Sequence, residues 1–394
     1  VTDTATEETT TAQDEGPSLE FRTQRFVLHT LLDKASKVVP SGDMMPVLKN
    51  FHLEASDGRL AVMATDLELS ILVEAQLVEA STAGAVMLPA RKLLEIVNAA
   101  AEDELRMTVV GSDCHIECGS AKWDLKLSAT PDQYPPLPER DVEFDDVDRH
   151  FFLEALNGVK GAVGKVTARP DLQVLDIRGG KITASDGQRA QQVIMQDEQG
   201  EFWWPEDLPC QIPSGAVPEL IRLLKSTEAE EIGVTTTTDH LIFRIGQDVF
   251  TMAALELDYP DIEALLISRA IGNELDLTVD REELEHAIAR VRVTSDTESA
   301  AMLITLEENS MSVTTRDKMQ NKASEYLNVR WEHPRLEVAV SHIALAEMLS
   351  MTDSPSCVFL FDASDTKTRR SPVLFKNERQ LGIISQMRAE WTAD

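Results

Sequence analysis

The chain lacks the marks of an enzyme that can be read from sequence. It contains no Gly-rich phosphate loop, no G-x-S-x-G, no H-E-x-x-H and no G-x-G-x-x-G. It is short of positive charge: 37 Lys and Arg stand against 68 Asp and Glu, a formal net charge of −31. That balance argues against a simple basic nucleic-acid binder, whose affinity comes from neutralising phosphates. It is compatible with solubility alone, or with a protein that encloses a nucleic acid and must not grip it. No apolar run approaches the length of a membrane span, and the acidic, Thr-rich start does not resemble a secretory signal.

Cysteine is scarce too. Cys114, Cys118, Cys210 and Cys357 form no C-x-x-C pair. In "CHIEC", Cys114 and Cys118 point one way along a strand and His115 the other, and no second ligand pair follows, so no metal is expected. Scattered, unpaired thiols suit a reducing compartment, and a cytoplasmic location is expected. The run Asp145, Asp146, Asp148 lacks the Gly and the oxygen spacing of a calcium loop and reads as a solvated linker. No cofactor and no acid–base couple can be nominated. The paired Trp203 and Trp204 read as a loop packed over a sheet.

What is present is rhythm. Six amphipathic helices are predicted to begin near Val27, Arg91, Phe151, Val217, Arg281 and His342, at steps of 64, 60, 66, 64 and 61 residues. Apolar residues three, four and seven apart give each one apolar stripe; Leu28, Leu31, Leu32 and Ala35 form the first. Between helices, apolar and polar residues alternate as in strands. The predicted class is α+β, a helix-then-strands unit repeated six times. Breaks at 131–148 and 259–274 divide the chain into an acidic, disordered tail (1–20) and three units: 21–140, 141–267 and 268–394, the last with a C-terminal extension. Each unit holds two helices. Asp66 and Asp186, in "MATDLELS" and "TASDGQRA", lie 120 residues apart in matching turns.

On this frame a family comes into view. "MPVLKNFHLEASDGRLAVMATDLELSI" (45–71), "LPARKLLEIV" (88–97), "RPDLQVLDIRGGKITASDGQRA" (169–190) and "YPDIEALL" (259–266) resemble, in order and spacing, segments of the bacterial DNA polymerase III beta subunit, the sliding clamp. The resemblance runs from about residue 22 to Arg388.

It implies three similar clamp domains per chain, each with two helices packed on antiparallel sheets. Two chains would close head to tail into a ring with helices lining a hole for duplex DNA. Such a protein is not an enzyme. It tethers a DNA polymerase, an effect of effective concentration, and an ATP-dependent clamp loader opens the ring.

Helix faces away from the apolar stripe, together with the resemblance, nominate Lys34, Lys37, Lys165, Arg169, Arg222 and Arg290 as facing DNA without base readout. Glu95, Glu154 and Glu219 share those faces. By resemblance, a partner-peptide pocket falls on Leu172, Ser185, Gly187, Gln188, Pro260, Leu265, Ile383, Met387 and Arg388. The dimer interface is expected at Leu125 and Leu127 of one copy and Val293 of the other.

The chain also departs from the family. Asp43 sits in a loop that is often basic, Pro170 and Asp171 replace aromatics, and Ser214 and Gly215 replace a basic pair. Ala190 and Ala264 stand where larger or basic residues are common, and the end reads "QMRAEWTAD". The lost basic positions leave open a second reading, a clamp-fold scaffold that binds partners with little or no DNA tethering. The tail with Trp391 is expected to modulate the peptide pocket.

Overall fold

A computed structural model describes residues 18–42, 45–127, 129–136, 142–164, 169–196, 200–262, 264, 274–296, 300–352, 354–362, 371–377 and 379–387. In chain order the elements are β1 (Leu19–Gln24), α1 (Arg25–Ser36), β2 (Asn50–Ser56), β3 (Arg59–Thr65), β4 (Leu69–Gln76), β5 (Glu79–Thr82), β6 (Gly84–Pro89), α2 (Ala90–Ala99), β7 (Glu104–Val110), β8 (Asp113–Cys118) and β9 (Ala121–Lys126). There follow β10 (Asp145–Asp148), α3 (Arg149–Val159), β11 (Val174–Arg178), β12 (Lys181–Ser185), β13 (Arg189–Ile194), β14 (Cys210–Pro213), α4 (Val217–Ser226), β15 (Glu231–Thr236), β16 (His240–Ile245) and β17 (Asp248–Ala253). The rest are β18 (Glu274–Asp280), α5 (Arg281–Val291), β19 (Ala301–Glu307), β20 (Ser310–Arg316), β21 (Lys322–Asn328), β22 (Leu336–Ser341), α6 (His342–Ser350), β23 (Ser356–Asp362), β24 (Val373–Lys376) and β25 (Gln380–Ile384).

The predicted helix starts fall within two residues of these helices. β1 begins at Leu19, inside the stretch read as a tail, and Leu19 is fully buried. Among the described residues no helix is long and apolar enough to cross a membrane.

The chain divides into two compact units, 1–142 with 242–253, and 143–241 with 254–394. In the first, β5, β1, β7, β8 and β9 form one antiparallel sheet in that order. A second sheet there runs β17, β4, β3, β2, β6. The helices α1 and α2 pack on each other and on these sheets. Alternation puts Leu19 and Phe21 of β1, and Cys114 and Ile116 of β8, into the core.

In the second unit, one eight-stranded sheet runs β14, β11, β12, β13, β25, β24, β23, β18. It joins the earlier half of this unit to the later half through β13 and β25, where Ala190 faces Ile383. β21, β20, β19 and β22 form a further sheet. Leu284, Ile288, Leu345 and Leu349 of α5 and α6 bury their stripe against Phe359, Phe375 and Ile384 of the large sheet.

Two repeated devices build the strand-to-helix junctions. Asp148 accepts the N–H of Phe151, Asp280 that of Glu283, and Ser341 that of Ala344, so each caps the helix that follows it. A cap of this kind stabilises its helix by about 1 kcal/mol. An arginine opens α1, α3 and α5. The backbone N–H of Arg25 donates to Asp103 O, that of Arg149 to Glu230 O and that of Arg281 to Pro355 O. The Arg149 guanidinium also donates to Leu224 O near the end of α4, and that of Arg281 donates to Ser354 O after α6. A cation at a helix C-terminus meets the negative end of its dipole.

The matching turns are also alike. Asp66 accepts from the N–H groups of Glu68 and Leu69, and Asp186 from those of Gln188 and Arg189. The residue after each Asp is left-handed, Leu67 at φ 79° and Gly187 at φ 85°. Glycine suits that backbone; leucine is strained there.

Candidate functional site

One face of the eight-stranded sheet is covered by α5 and α6 over β18, β23, β24 and β25, and the opposite face carries Leu172 and Ile383, two of the residues nominated for the pocket. There the strap 254–262 crosses the sheet. Leu257 N–H donates to Gln211 Oε1 at 2.8 Å, and Gln211 Nε2 donates back to Leu257 O at 2.9 Å and to Asp176 Oδ1 at 3.0 Å. Tyr259 and Ile262 of the strap form one apolar cluster with Leu172, Val174, Ala190, Leu374 and Ile383 beneath it, each no more than 7% exposed. Half-buried Leu255, Leu257, Leu360 and Leu381 rim it.

So Leu172 and Ile383, 211 positions apart, are brought together. Ser185, Gly187 and Gln188 form the β12–β13 turn beside them. A Cβ on Gly187 would stand 3.6 Å from Leu172 Cδ1, and Ser385 N–H donates to Gln188 O. Pro260 lies on the strap, and Met387 N–H donates to Ala339 O within β22. Leu265, Arg388 and Trp391 lie outside the described residues.

The sequence reading missed Val174, Tyr259, Ile262 and Leu374. Period-two alternation along β11 and β24 was the signal for two of them, since Val174, like Ala190 and Ile383, sits on the uncovered face. An open cavity of about 290 Å³ adjoins the cluster. Tyr259 to Ile262 wall it on one side, and Asp176, Arg178, Lys181 and Thr183 on the other.

Burial sets the ionisation here. Desolvation pushes the Asp176 carboxyl up, against the opposing pull of Gln211 and Arg178. It also pushes the Tyr259 hydroxyl up, with the charges of Asp176 and Asp171 adding to it.

Each described cation that was predicted to face DNA is matched by a carboxylate. Lys37 lies 3.5 Å from Asp33. Arg169 makes a two-oxygen contact with Asp171, whose carboxyl it holds below the usual range. Arg222 pairs with Glu219 on α4, and Arg290 lies 3.0 Å from Glu325 of β21. Lys34 needs correction. Its side chain is 18% exposed and bound to Asp248 at 2.6 Å, so it points to a strand and not to solvent. Lys165 lies outside the described residues. Lys160 and Lys225 lie near the C-termini of α3 and α4; their mutual repulsion adds to the desolvation that lowers Lys160.

A family model of the DNA polymerase III beta subunit, N-terminal domain, matches residues 19–138. The Beta sliding clamp of Haemophilus influenzae is 24% identical over 342 residues, covering 84% of this chain and 90% of that relative. That of Escherichia coli K12 is 23% identical over 366 residues, covering 88% and 96%. Over most of its length the chain is therefore similar, at low identity, to the bacterial DNA polymerase III beta subunits.

The beta sliding clamp of C. crescentus shares the fold with a TM-score of 0.85 at 21% identity, over 95% of this chain and all of that one. The sliding clamp of Pseudomonas aeruginosa gives 0.84 at 21% identity, over 94% and all.

Among the described residues β9 is an edge strand, and β21 is another. Leu125 faces the same side of the sheet as the buried Cys114 opposite it, yet is only half-buried, because no further strand follows. Leu127 is half-buried as well; it lines a cavity with Val86 and Met87, and its N–H donates to Ser112 O. Val293, just after α5, is 83% exposed, and Tyr326 of β21 is 74% exposed. Cys114 and Cys118 are buried on one face of β8, while His115 projects the other way against Asp124.

Proposed function

We propose that this chain works as a DNA sliding clamp, a processivity factor that encircles duplex DNA and tethers a replicative polymerase. The observation that carries this reading is the six-fold strand-into-helix junction at near-equal spacing, with Arg25, Arg149 and Arg281 opening alternate helices in the same backbone contact. It supports three clamp modules, 21–140, 141–267 and 268–394.

Two copies join head to tail, the open edge at Leu125 and Leu127 of β9 meeting the Val293 region of the partner. Pairing two edge strands removes their unpaired backbone groups and closes the ring. An ATP-dependent loader opens it. Lys37, Arg169, Arg222 and Arg290 meet phosphates loosely. A partner peptide lays apolar side chains against the rim of the Leu172–Ile383 cluster, flanked by Ser185, Gly187, Gln188 and Pro260; Leu265, Met387 and Arg388 are assigned to the same pocket by resemblance. The chain performs no chemistry in this role; it raises the local concentration of what it holds.

A second reading, a partner-binding scaffold with little DNA tethering, is favoured by one observation: the carboxylate beside each described DNA-facing cation. Loading onto nicked circular DNA separates the two. Retention on the circle with release on cutting supports encirclement. Equal release from circular and linear DNA supports the scaffold.

A further inference from the structure

The cavity beside the Leu172–Ile383 cluster is polar, and two features show that it is built. The first is Tyr259. It is 7% exposed, and its hydroxyl is buried with no hydrogen-bond partner. A matching tyrosine in the first unit, Tyr134, also precedes a proline and also packs on a leucine from a 3-10 turn, Leu48. There the hydroxyl accepts the Thr65 N–H at 3.0 Å. A buried hydroxyl left without a partner is costly, so a ligand atom that pairs with the Tyr259 hydroxyl is favoured.

The second feature is charge. Arg178 and Lys181 stand directly opposite each other across the β11–β12 hairpin, on the face that carries Asp176 and Thr183. Arg178 meets Asp176 on this face, and a further carboxylate would use the remaining N–H groups of its guanidinium. The carboxylates of the cavity have other duties. Asp176 accepts from Gln211 and pairs with Arg178 at 3.0 Å, and Asp261 accepts the Ala264 N–H at 2.7 Å. Thr183 already accepts from Gln192 Nε2, which leaves its own proton to give. The groups with hydrogen bonds left to make are therefore mainly donors: the guanidinium, the Thr183 hydroxyl and the Tyr259 hydroxyl. At about 290 Å³ the cavity holds one side chain with a few waters, each of about 30 Å³.

The geometry points to a polar subsite that takes the carboxylate of an Asp or Glu side chain of a docked partner peptide, beside its apolar anchors. This inference rests on the peptide-docking reading above. It assigns specificity to Arg178, Thr183 and Tyr259, which form no part of the apolar rim.

The test uses the full chain and three labelled peptides with one apolar Leu-Leu-Phe core, flanked at both ends by Glu, by Gln or by Lys. The Glu peptide binds about tenfold tighter than the Gln peptide, the scale of one charge-assisted hydrogen-bond set. Arg178→Ala abolishes that difference, and Tyr259→Phe, which removes only the hydroxyl, narrows it. Equal binding of Glu and Gln peptides overturns the subsite while leaving the docking reading standing. Tighter binding of the Lys peptide also overturns it, because Asp176 and Asp261 then dominate. If no peptide binds, the docking reading fails. The cavity is then tested alone by titrating N-acetylglutamate amide and following the Arg178 and Thr183 amide resonances. Shifts that vanish in Arg178→Ala sustain the carboxylate site, and their absence from the unaltered chain overturns it.

Discussion

Lys34 Nζ on α1 donates to Asp248 Oδ2 on β17 at 2.6 Å, across 214 positions of sequence, with both side chains largely buried. This pair fastens β17 to the helix of the first unit. Losing one partner of a buried pair removes about 3 kcal/mol of stability. Lys34→Met is therefore expected to lower the urea midpoint clearly, while the salt dependence of DNA binding keeps its slope. A flatter slope with unchanged stability would restore Lys34 to the DNA-facing set.

Arg189 has the same kind of role in the second unit. Its buried guanidinium donates to Gly161 O after α3, to Ala344 O in α6 at 3.2 Å, and to the carboxylates of Asp186 and Glu347. It ties the two halves of that unit together on the helix side. Arg189→Ala is expected to cost about 3 kcal/mol or more and to expose α6 amides to exchange. Wild-type exchange protection in α6 would contradict this.

Asp171 holds Arg169 in an exposed two-oxygen pair that competes with a phosphate. Asp171→Asn frees the guanidinium. Duplex affinity should rise severalfold at low salt, and the plot of log affinity against log salt should steepen by roughly 0.9, the value of one phosphate contact. Unchanged binding would remove Arg169 from the DNA-facing residues.

Acid should loosen the fold near pH 6. Burial lowers His52 and His342 below their ordinary value of 6.5, with the Arg292 charge lowering His342 further. Above pH 6.5 both are neutral, folded or unfolded, and contribute no slope. As pH falls below 6.5 the unfolded chain takes up protons that the folded chain refuses, so stability drops. His342 also lies 2.7 Å from Ser295 Oγ, a contact that glutamine can keep. The urea midpoint should fall between pH 7.5 and 5.5, and the His52→Gln, His342→Gln double variant should fall less. Parallel curves would refute the assignment.

The helices were legible because a 3.6-residue stripe is a local signal, visible in Leu28, Leu31, Leu32 and Ala35 without knowing what they cover. The strand alternation and the Asp66 and Asp186 turns were legible for the same reason. Lys34 was not, because a helix projection shows which side a residue leaves from and not which distant carboxylate awaits it. Nor was Leu19, whose acidic, Thr-rich neighbours hide a strand that pairs with β7. The pocket was half legible: Leu172 and Ile383 followed from resemblance, whereas Tyr259 and Leu374 needed the sheet register that places β24 beside β25. The threefold Arg25, Arg149 and Arg281 stood in plain view, but its meaning depends on a carbonyl donated by a loop roughly 75 to 80 positions on.

The central claim is a ring of two chains around an opening wide enough for a duplex. Sedimentation of the pure protein together with images of its particles tests it most directly. The account predicts a mass near twice 43.7 kDa and particles with a central hole. A 43.7 kDa species, or a solid particle with no opening, would contradict it.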